Sequence, residues 1–207
     1  MFKIKTCKIR MKYSVEKIND LKKWDHLVSQ SENSSIFFKS FYLIPLKEKI
    51  DFFIIKKNNK PISGFFLITD GKKNIVENDL IIHSGIFFVK DKNMKISSLN
   101  AQIYEITETF KNFIVQNYKK IKVTLSPQIQ DIRSFQWHNY HNNKKKFKID
   151  VKFTSFLNLK DLDLKNYFKS KLYLNLNENR KRNIQTAIKN KLAFSEGNVD
   201  DFVKNYS

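Results

Sequence analysis

Apolar runs separated by polar breaks set an element order along the chain. Residues 2–11 alternate apolar and charged positions and read as a strand. From Val15 through Leu21 to Trp24 and Val28 the apolar positions fall three and four apart, which predicts a helix. A polar break at 29–35 precedes an aromatic-rich segment, Ile36-Phe37-Phe38-Lys39-Ser40-Phe41-Tyr42-Leu43, that ends before Pro45. Three strand-like runs follow at 51–56, 61–69 and 80–89. Lys57-Asn58-Asn59-Lys60 is a polar turn between the first two, and Asp70-Gly71 is a hairpin signal after the second. The third run is the most apolar and is expected to be central.

Residues 97–118 carry Leu99, Ile103, Ile106, Phe110, Phe113 and Ile114 on one helical stripe. A strand over 121–126 is stopped by Pro127, and 131–140 reads as a short helix. After the Lys144-Lys145-Lys146 loop, residues 147–159 place Ile149, Val151, Phe153, Ser155 and Leu157 on one parity, the pattern of a long strand. Helices are expected over 161–174 and 177–192. The order is not a regular βαβ alternation. It predicts an α+β fold, a mainly antiparallel sheet flanked by helices.

Composition changes this picture in one respect, charge. The 207 residues carry 39 Lys and Arg against 20 Asp and Glu, a formal charge of +19. Such a balance suggests nucleic acid, anionic lipid or a phosphorylated substrate. Yet only Arg10, Arg133, Arg180 and Arg182 are arginines, while Asn and Ile abound and Gly and Pro are scarce. That is the signature of an AT-rich coding bias, and base and phosphate recognition favours the under-used Arg. Most of the 19 Phe sit at buried parity, which leaves few of them for stacking on bases. Cys7 is the only cysteine, so neither an intrachain disulfide nor a Cys-based zinc site can form. No signal-peptide pattern or membrane-length apolar run is present, and a reducing, cytoplasmic setting is the expectation.

Motif chemistry is sparse. There is no Gly-rich phosphate loop, no G-x-S-x-G and no H-E-x-x-H. His138 and His141 share a helical spacing but lack the further ligands a metal gathers, so no metal site is expected. His83-Ser84-Gly85 interrupts the most apolar run; it marks either a hydrogen-bonded core histidine or a place where a ligand approaches backbone. In Asn179-Arg180-Lys181-Arg182-Asn183-Ile184, two arginines stand at the head of a helix, an anion-binding arrangement. Arg180 lines up with Ile184, Ala187, Ile188 and Leu192, whereas Arg182 points elsewhere.

Three features together resemble the FemAB-like acyltransferases, a GNAT-related group that includes peptidoglycan-bridge aminoacyltransferases and BioF2-like acetyltransferase domains. They are Trp24-Asp25 followed by Ser34-Ser35-Ile36-Phe37-Phe38, then Pro61-Ile62-Ser63-Gly64-Phe65 leading to Ile82-His83-Ser84-Gly85, and finally Arg180-x-Arg182-Asn183-Ile184-x-x-Ala187-x-Lys189-Asn190. The resemblance implies a GNAT-like sheet, with 1–160 as a first acyltransferase half. Residues 161–207 would be connecting helices and the start of a second half that the chain does not carry, leaving it a fragment. It implies N-acyl transfer to an amine on a cell-wall or surface-polysaccharide precursor, with acyl-CoA or aminoacyl-tRNA as donor substrate and no tightly bound cofactor. Arg180, Arg182 and Lys39 would contact the anionic precursor, a nucleotide-sugar or lipid-linked molecule. Lys47 is a second candidate, and His83 and Ser84 would lie near the ligand. Transfer RNA and the membrane surface are the implied further partners. No catalytic residue is assigned. The competing readings are a non-enzymatic basic RNA-binding domain and an inactive truncated chain.

Overall fold

The computed structural model describes residues 13–192 except 32, 90–92, 156, 158, 161 and 164. Cys7, the strand expected over 2–11 and the chain beyond 192 lie outside the described residues. The chain divides into two compact units, 1–152 and 153–207.

The first unit is built on strands β1 (Tyr13–Lys17), β2 (Ile50–Lys57), β3 (Lys60–Ile68) and β4 (Gly85–Phe88), paired antiparallel in the order β1-β2-β3-β4. β2 and β3 join through Asn58 and Asn59, both at positive φ (49° and 67°). Asparagine tolerates that conformation, and two such residues match the twist of a tight hairpin. Neighbouring side chains along these strands enter different cores. Phe53, Ile55, Phe65, Leu67 and Ile86 pack with Ile106, Phe110 and Ile114 of helix α3 (Ile96–Asn117). Phe52, Phe66, Ile68 and Phe87 pack with Trp24 and Val28 of α1 (Leu21–Ser29), and with Phe38 and Leu43. The fold is α+β, an antiparallel sheet between helices, as the sequence predicts.

Several expectations are corrected. Val15, Glu16 and Lys17 belong to β1 and not to a helix, because Val15 pairs with Ile55 and Glu16 with Ile54 of β2. The helix begins after Asp20, whose carboxylate accepts from the Lys23 amide at 3.1 Å. The run over 80–89 is not the central strand; β3 is more deeply buried, and β4 keeps only four residues at the edge. Gly85 explains why β4 starts late. Its φ is +84°, and a Cβ there would lie 2.7 Å from Leu125 Cδ2.

Residues 121–126 form no strand; a parallel bridge at Asn74–Lys120 and contacts between Ser84 and Thr124 hold them. Residues 147–155, 157 and 159 also form no strand, and Phe153 is 95% exposed. Their alternation marks a face that pairing would bury, but β4 offers no free edge. Asn33 donates to the Ile86 carbonyl at 3.2 Å and accepts from the Phe88 amide at 2.8 Å, and an antiparallel bridge at Ser31–Val89 takes up the edge just beyond.

In 40–46 the aromatic segment becomes helix α2 (Ser40–Leu43) and a 3₁₀ turn (Ile44–Leu46), and α4 (Arg133–Gln136) is the short helix expected near 131–140. The second unit holds a 3₁₀ turn (Tyr167–Lys169), α5 (Lys171–Leu174) and α6 (Glu178–Lys189). The helix expected over 161–174 is thus broken. Asp163 turns the chain by accepting from the Lys165 amide, and Ser170 caps a fresh start by accepting from the Tyr173 amide.

Asn33 is buried and its amide satisfies two backbone groups of β4. Asn33→Ala is therefore expected to cost about 1–3 kcal/mol in urea unfolding. A loss under about 0.5 kcal/mol would mean that water replaces the amide and the edge is not sealed by it.

Candidate functional site

The motif residues first acquire structural duties. Trp24, fully buried, donates from Nε1 to the Phe38 carbonyl at 2.7 Å. The Asp25 carboxylate accepts from the Ser40 amide at 2.9 Å and from its hydroxyl at 2.5 Å. Trp24-Asp25 is thus the clasp between α1 and the aromatic segment. Lys39 Nζ is directed to the Asp25 carbonyl (3.4 Å) and Ser29 Oγ (3.3 Å), where a cation meets the C-terminal end of α1. Lys47 is exposed at positive φ (55°) after the 3₁₀ turn.

His83 is half-buried, with its ring 5.7 Å from that of Phe37 in an edge-on contact. Its Nδ1 is buried without a hydrogen-bond partner, so the core histidine with satisfied nitrogens does not form. Burial holds its pKa below the ordinary value, weakly opposed by the Ile82 backbone. Ser84 does bond. Its amide donates to the Thr124 carbonyl at 2.8 Å, and its Oγ accepts from the Thr124 amide at 3.1 Å.

From Thr124 the network reaches residues that sequence reasoning missed. Thr124 Oγ1 donates to the Glu77 carboxylate, which also pairs with Lys122 Nζ at 2.6 Å. Burial pushes the Glu77 carboxyl up, but the bonds from Lys122 and Thr124 outweigh it and hold the group below its usual value. The Lys122 ammonium is raised in turn, chiefly by its bond to Glu77. An open groove of about 490 Å³ lies here, between 74–79 and 120–122. A turn positions its far wall: Asp70 accepts from the Lys72 and Asn74 amides and from Asn74 Nδ2, with Gly71 at φ +80°. Ile75 then donates to the Lys120 carbonyl at 2.8 Å.

Asp70, Glu77 and Asp79 line the groove with Lys120 and Lys122, so acids outnumber bases among the lining residues of a chain where bases are nearly twice as frequent, although Lys152 also acts on Glu77 from nearby. An ionised Glu77 serves better to hold a cation than to take its proton. The period-two pattern of 121–124 could have placed Lys122 and Thr124 on one side. Nothing in the sequence marked Glu77, because its partner lies 47 residues away.

Arg180 and Arg182 lie in the second unit, exposed on α6, and make no side-chain bond among the described residues. The α6 start is not left bare: Asn177 accepts from the Arg180 amide at 2.9 Å, and Glu178 stands in the first turn. Nor is the stripe aligned with Arg180 buried. Ile184 and Ala187 are half-buried, and Ile188 and Leu192 are exposed. His138 and His141 do not share a helix, since α4 ends at Gln136. His138 packs against Phe147 and His141 against Tyr140. No group of three metal-binding side chains occurs among the described residues, and no described helix is long and apolar enough to cross a membrane.

No family model matches the chain. Over 123 residues it is 25% identical to "Probable polyketide synthase 6" of Dictyostelium discoideum, an alignment covering 55% of this chain. The chain spans 4% of the length of that curated relative. Among solved structures it is similar to a "possible acetyltransferase" from Clostridium difficile 630, at TM-score 0.32 and 10% identity, over 70% of this chain and 99% of that one. It is also similar to a "predicted acetyltransferase with acetyl-CoA" from Clostridium acetobutylicum, at TM-score 0.31 and 14% identity, over 72% of this chain and 97% of that one. Both neighbours are described as acetyltransferases.

His83 gives the site a pH signature. Its folded pKa lies below the unfolded value of about 6.5, so the stability of the neutral, buried ring is whole above that pH and lost as pH falls through the folded value. In urea unfolding at stepped pH, His83→Phe is expected to flatten the decline between about pH 7 and pH 5. An unchanged slope would assign the decline to His138, also lowered by burial and then by Lys111.

Proposed function

We propose that the first unit is an acyl-transfer domain that moves an acyl group from a thioester donor, acyl-CoA, to an amine held in the groove beside Glu77. The observation that carries this reading is the gathering of three carboxylates, Asp70, Glu77 and Asp79, along one groove. A cationic amine gains there what the rest of a +19 surface denies it. The FemAB-like resemblance of the three motifs supports the same reaction class. So does the antiparallel sheet between helices that this resemblance implied.

In the reaction the amine arrives as an ammonium, held by the ionised carboxylates. It loses its proton to solvent through the open groove, and its lone pair then attacks the thioester carbonyl. The C–N bond forms, the C–S bond breaks, the nitrogen sheds its second proton as the amide forms, and the leaving thiolate takes up one proton to become the free thiol. The carboxylates orient the acceptor, which is a positioning contribution. In the second unit, taken by itself, Arg180 and Arg182 are the groups we assign to an anionic ligand of the cell-wall or polysaccharide precursor class, since their guanidiniums have no partner among the described residues. Lys39 is a weaker candidate because its ammonium already faces the Asp25 carbonyl and Ser29.

The test is amine-dependent thiol release from acetyl-CoA, with lysine-terminated peptides and diamines as acceptors. Glu77→Gln can keep the Thr124 contact while removing the charge. It is expected to raise KM for the amine roughly ten-fold while kcat stays within about three-fold, as loss of uniform binding does. The proposal fails if no primary amine stimulates thiol release and acetyl-CoA does not shift the Tm. Thiol release that Glu77→Gln leaves untouched would keep the activity but move the acceptor elsewhere.

A further inference from the structure

Away from the groove, the end of α4 and the loop after it put large aromatic rings in solvent beside cations. Trp137 is 56% exposed and Tyr140 62%. The Arg133 guanidinium lies over the Tyr104 ring at 5.2 Å and over the Trp137 ring at 5.5 Å. It is fixed there by Asp131, which accepts from Nε at 2.9 Å and from Nη2 at 2.6 Å. Lys146 Nζ stands 5.7 Å over the Tyr140 ring, next to the exposed Lys144 and Lys145.

The arrangement is set before any ligand arrives. Below it, the buried Phe135 packs edge-on against Phe110 and Phe147 and ties α4 to the core. The loop is braced by its own asparagines. Asn139, at positive φ (56°), donates from Nδ2 to the Lys145 carbonyl at 2.6 Å, and Asn142 accepts from the Lys144 amide at 3.0 Å. A surface held in shape in this way loses little conformational freedom on binding.

We propose that this surface binds single-stranded nucleic acid, with Trp137 and Tyr140 as stacking faces for bases and Lys144, Lys145 and Lys146 as phosphate contacts. Arg133 is a positioning residue, since Asp131 already matches its charge while its plane steadies the rings. A coding bias toward Lys accounts for a basic surface but not for a tryptophan in solvent. The chain has two tryptophans, and Trp24 is wholly buried. Stacking on bare rings requires unpaired bases, which selects single strands over duplex. The surface involves neither the groove nor the Arg180 helix, so it stands independently of the acyl-transfer reading.

The two tryptophans make the test direct, because only Trp137 is placed to report a base arriving from solvent. Titration of the full chain with oligo(dT) or oligo(U) is expected to quench tryptophan emission saturably, with affinity that falls as salt rises. Trp137→Ala should weaken binding about ten-fold or more, measured with a labelled oligonucleotide, while Trp137→Phe keeps most of it. Replacing Lys144, Lys145 and Lys146 by Ala should reduce the salt slope. Circular dichroism checks that each variant is folded. The proposal is overturned if Trp137→Ala binds as tightly as the parent, which would leave charge alone as the cause. It is equally overturned if a duplex or heparin quenches Trp137 as well as the single strand does, or if no oligonucleotide binds.

Discussion

Burial of the β2–β3 pair on both faces is the constraint from which the rest of the first unit follows. Phe52 and Phe66 look to one core and Phe53 and Phe65 to the other, so neither face can be left to water. A two-stranded apolar ribbon is unstable until both faces are covered. α3 covers one face with a single stripe. The opposite face takes α1 and the aromatic segment, joined by the Trp24–Phe38 and Asp25–Ser40 bonds. The conspicuous Trp24-Asp25 motif thus earns its place through assembly of the second core.

A sheet covered on both faces still has edges, and the β4 edge is closed by the Asn33 side chain together with short backbone contacts at Ser31–Val89 and Ser84–Thr124. Asn33 occupies the Ile86 carbonyl and Phe88 amide, and Ser84 engages Thr124 one step earlier. Closing the edge through such short contacts leaves residues 120–126 attached at few points. Between that segment and 74–79 the open groove remains, with Glu77, Thr124 and Lys122 linked along it. The candidate site is therefore a by-product of how the sheet ends, and its carboxylates stand against the charge of the whole chain.

Charge had to be read locally. The total of +19 says little by itself, because Lys spread over a surface follows from codon bias as readily as from function. Two places depart from that background in opposite directions. In the groove, acids outnumber bases; at the end of α4, exposed aromatic rings sit under cations. The phenylalanines suggested few stacking surfaces, and most of the described ones are buried or half-buried. Among the rings that do reach solvent, Trp137 and Tyr140 stand under or beside the cations at the end of α4.

Periodicity in the sequence determined the α+β class, β2, β3 and their two-asparagine turn, α3 and α6, because those patterns depend on neighbours only a few residues away. It misjudged β1, the length and place of β4, and the segments over 121–126 and 147–159. For each of these the outcome depended on whether a distant partner was free: Ile54 and Ile55 for β1, Asn33 and Thr124 for the edge. The Arg180 segment was legible as a helix, but its Asn177 cap was not, and its stripe is not buried within the described residues. Alternation and stripes state which face a segment would bury. Only the tertiary structure supplies the surface that buries it, and so only the tertiary structure brought Glu77 to Lys122 and Thr124.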